Sequence, residues 1–185
     1  METPLSNSVF AASTLEHIDA LYGYAMTLTR DKTEAEDLVQ ETYLRAVRAT
    51  NQPASDGNLK AWLFVIMRNA WLNAVRHKHN GRRIFQFETD ESTPSAASDT
   101  TSNPHVVYLR KLECEQVREA IEKLPDTYRE IVVLRDIEGF SYQEIATVLN
   151  CPAGTVMSRL GRAREKLREV LSGRKGTVKL HRLHG

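Results

Sequence analysis

Apolar residues recur at steps of three or four positions along most of the chain, and polar residues fill the positions between them. That spacing places the apolar residues on one side of an α-helix. It holds over residues 13–30, 33–48, 59–79, 106–123, 125–138 and 141–171. The run Ile131–Leu134 (IVVL) could form a strand on its own, but the helical pattern on both sides and the short gaps argue against one. The sequence therefore predicts an all-α protein.

One long polar stretch interrupts the helical pattern. Residues 88–104 are rich in Ser, Thr and acidic residues and contain no basic residue, so they cannot bury enough apolar surface to order themselves. This stretch divides the chain into two small helical domains joined by a flexible linker. The predicted parts are a disordered N-terminus at 1–13, a first domain at 14–80, a linker at 81–105, a second domain at 106–172 and a basic tail at 173–185.

The region 141–171 has the pattern of two helices joined by a tight turn. Ser141 and Glu144 form a capping box that starts the first helix. The segment Asn150–Gly154 (NCPAG) then breaks the pattern, because Pro lacks an amide donor and Gly tolerates a positive φ. Thr155 is the expected N-cap of the second helix. The sequence therefore predicts a helix-turn-helix.

The second helix of this motif has an apolar side and a basic side. The apolar side, which faces the core, consists of Val156, Leu160, Ala163, Leu167 and Val170. The other side carries hydroxyl and guanidinium groups, which donate hydrogen bonds to base edges when such a helix lies in the major groove. The predicted DNA-contacting residues are Thr155, Val156, Ser158, Arg159, Arg162, Arg164 and Lys166. On an isolated helix these arginines would indicate a solvated face, but the capped helix and short turn before them favour DNA contact.

Three segments of this region resemble one family. They are Gly139–Ala146 (GFSYQEIA), Cys151–Val156 (CPAGTV) and Ser158–Arg164, with SRL and RAR on either side of a glycine. Together they are similar to the domain that reads the promoter −35 element in bacterial sigma factors of the extracytoplasmic-function type, within the sigma-70 family. Two positions depart from the common pattern: Met157, where many members carry a basic residue, and Gly161, which costs roughly 1 kcal/mol of helix stability relative to Ala. The resemblance implies an RNA polymerase sigma factor.

A second resemblance lies in the helix at 33–48, for which Thr33 with Glu36 is the expected cap. Its mixed charged face would by itself indicate only solubility. The segment Glu34–Ala49 (EAEDLVQETYLRAVRA) is, however, similar to the sigma-factor helix that docks on the clamp coiled coil of the polymerase β′ subunit. The resemblance implies core-polymerase contacts for Asp37, Gln40, Glu41, Leu44, Arg45 and Arg48, with Leu44 as an exposed apolar anchor. The polymerase β flap is the other core surface that the family implies.

The helix at 59–79 combines aromatic residues with amides and cations. Aromatic residues in a helix usually belong to the core, but aromatic faces beside cations also hold single-stranded bases, by stacking worth about 1–3 kcal/mol per base. This helix is similar to the promoter-melting and −10-recognition region of the family. The residues expected to contact the −10 element are Trp62, Asn69, Asn73, Arg76 and Lys78. The preceding loop Thr50–Asn58 departs from the aromatic-Arg-Gly pattern that is frequent in the family.

Charge is segregated although the formal net charge is only +1. Residues 68–83 contain basic residues and no acid, and residues 31–41 are mainly acidic, so one surface suits phosphate and another suits a basic protein. Cys114 and Cys151 have no CxxC spacing and are expected to be reduced thiols of a cytoplasmic protein. We predict no metal site and no cofactor. The first residues show no basic leader followed by an apolar core, and no apolar run approaches 18 residues, so a soluble cytoplasmic protein is expected.

Three classes of function compete on this sequence. An enzyme is the weakest, because no catalytic Ser-His-Asp or Cys-His set and no phosphate-binding Gly loop is found. A stand-alone helix-turn-helix regulator would bind a duplex site by itself, commonly as a dimer. An initiation factor would bind core RNA polymerase, recognise promoter DNA at −35 and −10 and promote strand opening, and the acidic helix beside a basic aromatic one favours it. The resemblance also implies an anti-sigma protein, and a linker that either mimics nucleic acid or acts only as a tether.

Overall fold

The structure, a computed structural model, describes residues 13–53, 58–81 and 114–177, with side chains up to residue 78 in the second range and 172 in the third. Within these ranges the regular elements are helical and there is no strand, which confirms the all-α prediction. Several predicted parts lie outside the described residues: the N-terminal end at 1–12, linker residues 82–105, the start of the second domain at 106–113 and tail residues 178–185.

Among the described residues, the first domain has a short helical turn at 13–15 followed by three longer helices, and the second domain has four helices. In the first, α1 is Ile18–Thr29, α2 is Lys32–Arg48 and α3 is Leu59–Gly81. In the second, α4 spans 114–122 and α5 is Asp126–Val132, which continues as the π-helix Val133–Ile137. The helix-turn-helix follows as α6, Tyr142–Leu149, and α7, Ala153–Thr177.

The first domain is an α1–α2 hairpin with α3 packed across it. Arg30, in the left-handed conformation (φ 58°), ends α1, and the next residue, Asp31, starts α2 by accepting a hydrogen bond from the Glu34 amide at 2.8 Å. The predicted cap by Thr33 with Glu36 is therefore wrong. Asp is at least as good an N-cap as Thr, and Asp31 allows the helix to begin earlier in the chain. The buried side chains that join the three helices include Leu21, Ala25, Leu38, Leu63 and Met67.

The second domain holds the predicted helix-turn-helix. The capping box of Ser141 and Glu144 is present. Gly139 has the positive φ (78°) that the turn between the π-helix and α6 requires. The second helix of the motif begins at Ala153, not after a cap at Thr155. The Pro152 carbonyl accepts hydrogen bonds from the amides of Thr155 at 2.9 Å and Val156 at 3.2 Å, so the first turn already forms from Pro152 onward. This helix continues to Thr177, beyond the predicted domain end at 172.

A buried arginine closes one end of α4. The Arg129 side chain is 4% exposed, and its guanidinium donates to the carbonyl oxygens of Ile121 at 3.3 Å, Glu122 at 3.0 Å and Leu124 at 2.7 Å. The last carbonyls of a helix lack amide partners from a following turn, and these bonds supply donors to the carbonyls at and just after the end of α4. The sequence pattern gave no sign of this role.

The two domains are in contact and share one core. The rings of Tyr24 and Phe64 in the first domain stack with centroids 4.8 Å apart, and Phe140 of the second domain meets Phe64 edge-on at 4.9 Å. All three residues are buried. The sequence predicted two domains but not this contact between them.

Candidate nucleic-acid and protein interfaces

The second helix of the helix-turn-helix, α7, is fixed by its buried side. Val156, Leu160 and Ala163 are at most 2% exposed and pack α7 into the second domain. On the opposite side Ser158, Arg162 and Lys166 are exposed, whereas Thr155 and Arg159 are half-buried at its margin. This side is therefore an exposed polar and basic surface held rigidly by the core.

Two residues predicted to contact DNA, Val156 and Arg164, have side chains that are engaged within the protein. Val156 is fully buried, so its side chain faces the core and is not available to contact a base. The guanidinium of Arg164 is bound by the Asp136 carboxylate of the π-helix, with one contact of 3.2 Å from Nε. The hydrogen bond that Arg164 donates to Asp136 also raises the pKa of Arg164. Arg164 thus joins α7 to the π-helix.

The turn between the π-helix and α6 is held by several hydrogen bonds. The Ser141 amide donates to the Glu144 carboxylate at 2.6 Å, and the Glu144 amide donates to the Ser141 hydroxyl at 3.3 Å. Hydrogen bonds from Ser141 lower the pKa of Glu144. Arg135 donates to the Phe140 carbonyl at 2.6 Å and lies over the Tyr142 ring, 4.9 Å from its centroid. These contacts fix α6 relative to the helix before it.

The exposed face of α2 has an apolar centre and a charged rim. The six residues predicted to contact polymerase are all exposed: Asp37, Gln40, Glu41, Leu44, Arg45 and Arg48. Leu44 is 50% exposed, and Val47, about one turn further along the helix, is 47% exposed. An ion pair of 2.6 Å joins Arg45 to Glu41. The structure therefore adds Val47 to the apolar centre of this face.

Four of the five predicted −10 residues lie on one side of α3. Positions 62, 69, 73 and 76 are separated by close to whole numbers of helical turns. Asn69, Asn73 and Arg76 are exposed, and Trp62 is half-buried beside them. Lys78 points to another side, where it pairs with Glu34 of α2 at 2.5 Å. The structure thus brings together an aromatic ring, two amides and a guanidinium, without Lys78.

A further set of charged residues on α3 had no role predicted from the sequence. Lys60 and Arg68 contact carboxylates of the second domain, and Phe64 lies between them. The sequence does show that these three residues share one side of the helix, because positions 60, 64 and 68 follow one another at intervals of four. A row of cation, aromatic ring and cation does not by itself indicate a partner within the same chain.

The described residues offer no group of three or more His, Cys, Asp or Glu side chains that could hold a metal ion. Among the same residues, none of the helices has the length and apolar character to cross a membrane. The thiol of Cys114 is exposed and that of Cys151 is half-buried, and both are free.

Comparison with known proteins gives the same two units. The family model for sigma-70 region 2 matches residues 15–81, and the model for sigma-70 region 4 matches residues 114–167. The chain is 35% identical over 168 residues to the ECF RNA polymerase sigma factor EcfG of Rhodopseudomonas palustris, covering 91% of this chain and 87% of the relative.

Solved structures agree. The sigma factor RpoE in complex with the anti-sigma factor NepR from Bartonella quintana matches with a TM-score of 0.70 and 30% identity, over 88% of this chain and 96% of that one. CnrH in complex with the cytosolic domain of CnrY matches with a TM-score of 0.60 and 28% identity, over 91% of each chain. A relationship this close over nearly the whole length, with both regions in order, establishes the family. The chain belongs to the sigma-70 family of bacterial RNA polymerase sigma factors, in the extracytoplasmic-function group.

Proposed function

We propose that this sigma factor divides promoter recognition among three helix faces: α7 reads the −35 element, α3 holds the opened −10 element, and α2 docks on core polymerase. The observation that carries the proposal is the exposed basic side of α7 opposite a side that is wholly buried. A rigid helix with free donors, set after a capped helix and a tight turn, suits the major groove. Membership of the family gives no support to the alternative of a stand-alone regulator.

In the proposed −35 contact, Arg162 and Ser158 lie at the centre of the helix face, and Thr155, Arg159 and Lys166 contact its edges or the phosphates. Ser158 donates its hydroxyl hydrogen to the Thr155 carbonyl at 3.1 Å, so its oxygen serves DNA as an acceptor. Arg164 has a different role, because Asp136 already binds its guanidinium. It braces the recognition helix and does not read DNA.

In the proposed −10 contact, Trp62 supplies a stacking surface, Asn69 and Asn73 supply amides, and Arg76 supplies the phosphate contact. The Arg76 guanidinium donates to the Asn73 side-chain oxygen at 3.1 Å, which leaves that amide's NH₂ group to donate to a base. Stacking with cations along the backbone is the general mode for holding a single strand. This side of α3 therefore traps the displaced strand and promotes opening.

In the proposed polymerase contact, Leu44 and Val47 form the apolar centre that meets the β′ clamp coiled coil, and the charged residues around them form the rim. Interfaces commonly place a few apolar anchors at the centre of a polar border. The second domain supplies the contact with the β flap. We further propose that the protein acts in the cytoplasm and is controlled by an anti-sigma protein, as the named complex of RpoE suggests by analogy.

The test of the polymerase contact uses the purified chain with bacterial core enzyme. The double variant Gln40→Arg, Leu44→Glu should lose co-purification with core and all sigma-dependent initiation. Val117→Glu, which also places a charge on an exposed apolar helical residue outside α2, is the matched control and should retain both. Equal co-purification of the double variant and the wild type would refute the docking face.

A further inference from the structure

The exposed side of α7 has two margins, and Ser158 lies between them. A helix turns by about 100° per residue, and this rotation distributes the residues around Ser158 to its two sides. One margin carries three cations: Arg159, Arg162 and Lys166. The other margin carries Met157, Gly161 and Arg164, which follow one another at steps of four and three. We call the first the basic margin and the second the Met157 margin.

The Met157 margin differs from the basic margin in charge. Met157 is apolar, and Gly161 has no side chain. The guanidinium of Arg164, the one cation among these three residues, is bound by the Asp136 carboxylate. A carboxylate beside a guanidinium offsets most of its attraction for a phosphate. Among the described side chains, this stretch of the margin therefore suits an apolar partner better than an anionic one.

Met157 is held in an exposed position by the residue before it. Its side chain is 53% exposed, whereas Val156 is fully buried. Because the core fixes Val156, Met157 cannot turn inward unless the whole helix moves. Single exposed apolar residues are ordinary on protein surfaces. Met157 differs from them in its place, since it lies next to Ser158 on the surface that is proposed to read DNA.

Glycines lie about one turn before and one turn after Met157, at positions 154 and 161. Helical side chains lean toward the N-terminus of the helix, so a large residue at 161 would lie over Met157, and Met157 itself leans over position 154. Both glycines are exposed, and a Cβ at either would meet nothing within 4 Å. Packing within the protein thus gives no reason for glycine at 161, although glycine disfavours a helix. The space that the two glycines leave is open to a ligand.

The apolar feature of the major groove is the 5-methyl group of thymine. It distinguishes thymine from the other bases there, and apolar side chains recognise it by direct contact. The methionine side chain suits such a contact, because it is flexible and polarisable and adapts to the shape of its partner. The contact requires close approach of the base to the helix, which the glycines on either side of Met157 allow.

We propose that Met157 determines specificity in the −35 contact by reading the 5-methyl group of a thymine, and that Gly154 and Gly161 give the base room to reach it. The proposal rests on the proposed −35 role of α7. Ser158 and Arg162 contact polar groups of the bases, and Met157 adds a preference for thymine at one position of the element. Arg164 stays bound to Asp136 and leaves this margin without a competing phosphate contact.

The test uses the holoenzyme reconstituted from core polymerase and the full chain. Selection from a library with a randomised −35 element first gives the preferred sequence. Each thymine in it, on either strand, is then replaced singly by uracil, which lacks only the methyl group. At one position, uracil should weaken binding by wild type about fourfold, the amount expected for one buried methyl group. Met157→Ala should bind the thymine and uracil elements equally, and Met157→Leu, which keeps an apolar side chain, should retain a preference for thymine.

Further variants separate a methyl contact from effects on the fold. Val117→Ala, which truncates an exposed apolar residue of α4, should keep the fourfold ratio. Gly161→Gln places a neutral polar side chain over Met157 and should bring the ratio close to one. Gly161→Ala should keep the ratio, because its side chain is too short to cover Met157. Met157→Arg should lose the thymine preference and steepen the slope of log affinity against log salt by about 0.9, because one more phosphate is neutralised.

An equal uracil effect in wild type and Met157→Ala, or no uracil effect in wild type, would overturn the role of Met157. A salt slope unchanged by Met157→Arg would also overturn it, since this margin would then not face DNA. So would a loss in Met157→Ala that is the same on preferred and scrambled −35 elements. In each of these cases, −35-dependent initiation by wild type would leave the proposed function intact. Wild-type initiation that is indifferent to scrambling of the −35 element would instead refute the proposed −35 role of α7.

Discussion

The most discriminating substitution compares two arginines that lie close together on α7. Arg162 is exposed on the helix face opposite the core, and among the described residues it forms no ion pair. Arg164 is tied to Asp136. Because Arg162→Ala and Arg164→Ala each remove one positive charge, their long-range electrostatic effects on DNA are the same. Any difference in DNA affinity between the two variants therefore reports a direct contact between the arginine and DNA.

The expected magnitudes follow from these environments. A phosphate contact contributes about −0.9 to the slope of log affinity against log salt, which is about 3.5-fold in affinity over a fourfold change in salt. If Arg162 contacts a base edge as well, its loss costs about 1–3 kcal/mol of discrimination. The Arg164–Asp136 pair is partly exposed, with side-chain exposures of 43% and 36%, so its loss costs the second domain at most about 1 kcal/mol of stability.

The assay is promoter binding by the reconstituted holoenzyme over a salt series, on DNA with the natural and with a scrambled −35 element. Arg162→Ala should reduce the slope and remove the preference for the natural element. Arg164→Ala should keep the slope, and the double variant Asp136→Ala, Arg164→Ala, which leaves the net charge unchanged, should behave like wild type at moderate temperature. A loss of slope and preference in Arg164→Ala as large as in Arg162→Ala would refute the assignment of Arg164 as a brace.

Three other predictions concern stability. Hydrogen bonds from Ser141 lower the pKa of Glu144 in the folded protein below its usual 4.5, so the stability that they contribute is complete above about that pH and is lost as the pH falls below it. Thermal unfolding of Glu144→Gln should show a shallower loss of stability in acid than wild type, and parallel curves would contradict this. Arg129→Met should lower the free energy of unfolding in urea by about 1–3 kcal/mol, because the buried carbonyl of Leu124 and two partly buried carbonyls lose a charged donor. A change under about 0.5 kcal/mol would show that water replaces the guanidinium. Gly139→Ala should lower the free energy of unfolding by about 1 kcal/mol in the same assay because of the positive φ alone, since a Cβ there meets nothing within 4 Å. An unchanged free energy of unfolding would mean that the turn can take another backbone conformation.

Local signals in the sequence were sufficient for most of the fold. The capping box at Ser141 and the apolar side of α7 depend on residues a few positions apart, so their spacing alone predicts them. Where two residues could each be the N-cap of a helix, the spacing alone did not decide between them. Asp31 and Thr33 are both good N-caps with Glu three residues later, and the helix began at the earlier one.

Contacts between distant parts of the chain were not predictable in this way. The pairs Arg68–Glu130 and Lys60–Glu138 join residues from different domains, and no periodic pattern relates them. The bonds from Arg129 to backbone carbonyls were not predictable either, because carbonyls have no sequence signature. The same limit applies to Arg164: its basic character indicated DNA contact, but its partner Asp136 lies 28 positions away in the chain.

The central claim is that this chain acts as a promoter-reading subunit of core polymerase. The most direct measurement adds the purified protein to bacterial core enzyme on a library of promoter sequences and maps the 5′ ends of the transcripts. The account predicts new start sites that require both a −35 and a −10 element and that disappear when either is scrambled. Start sites identical to those of core enzyme alone, together with tight duplex binding by the free protein, would contradict it.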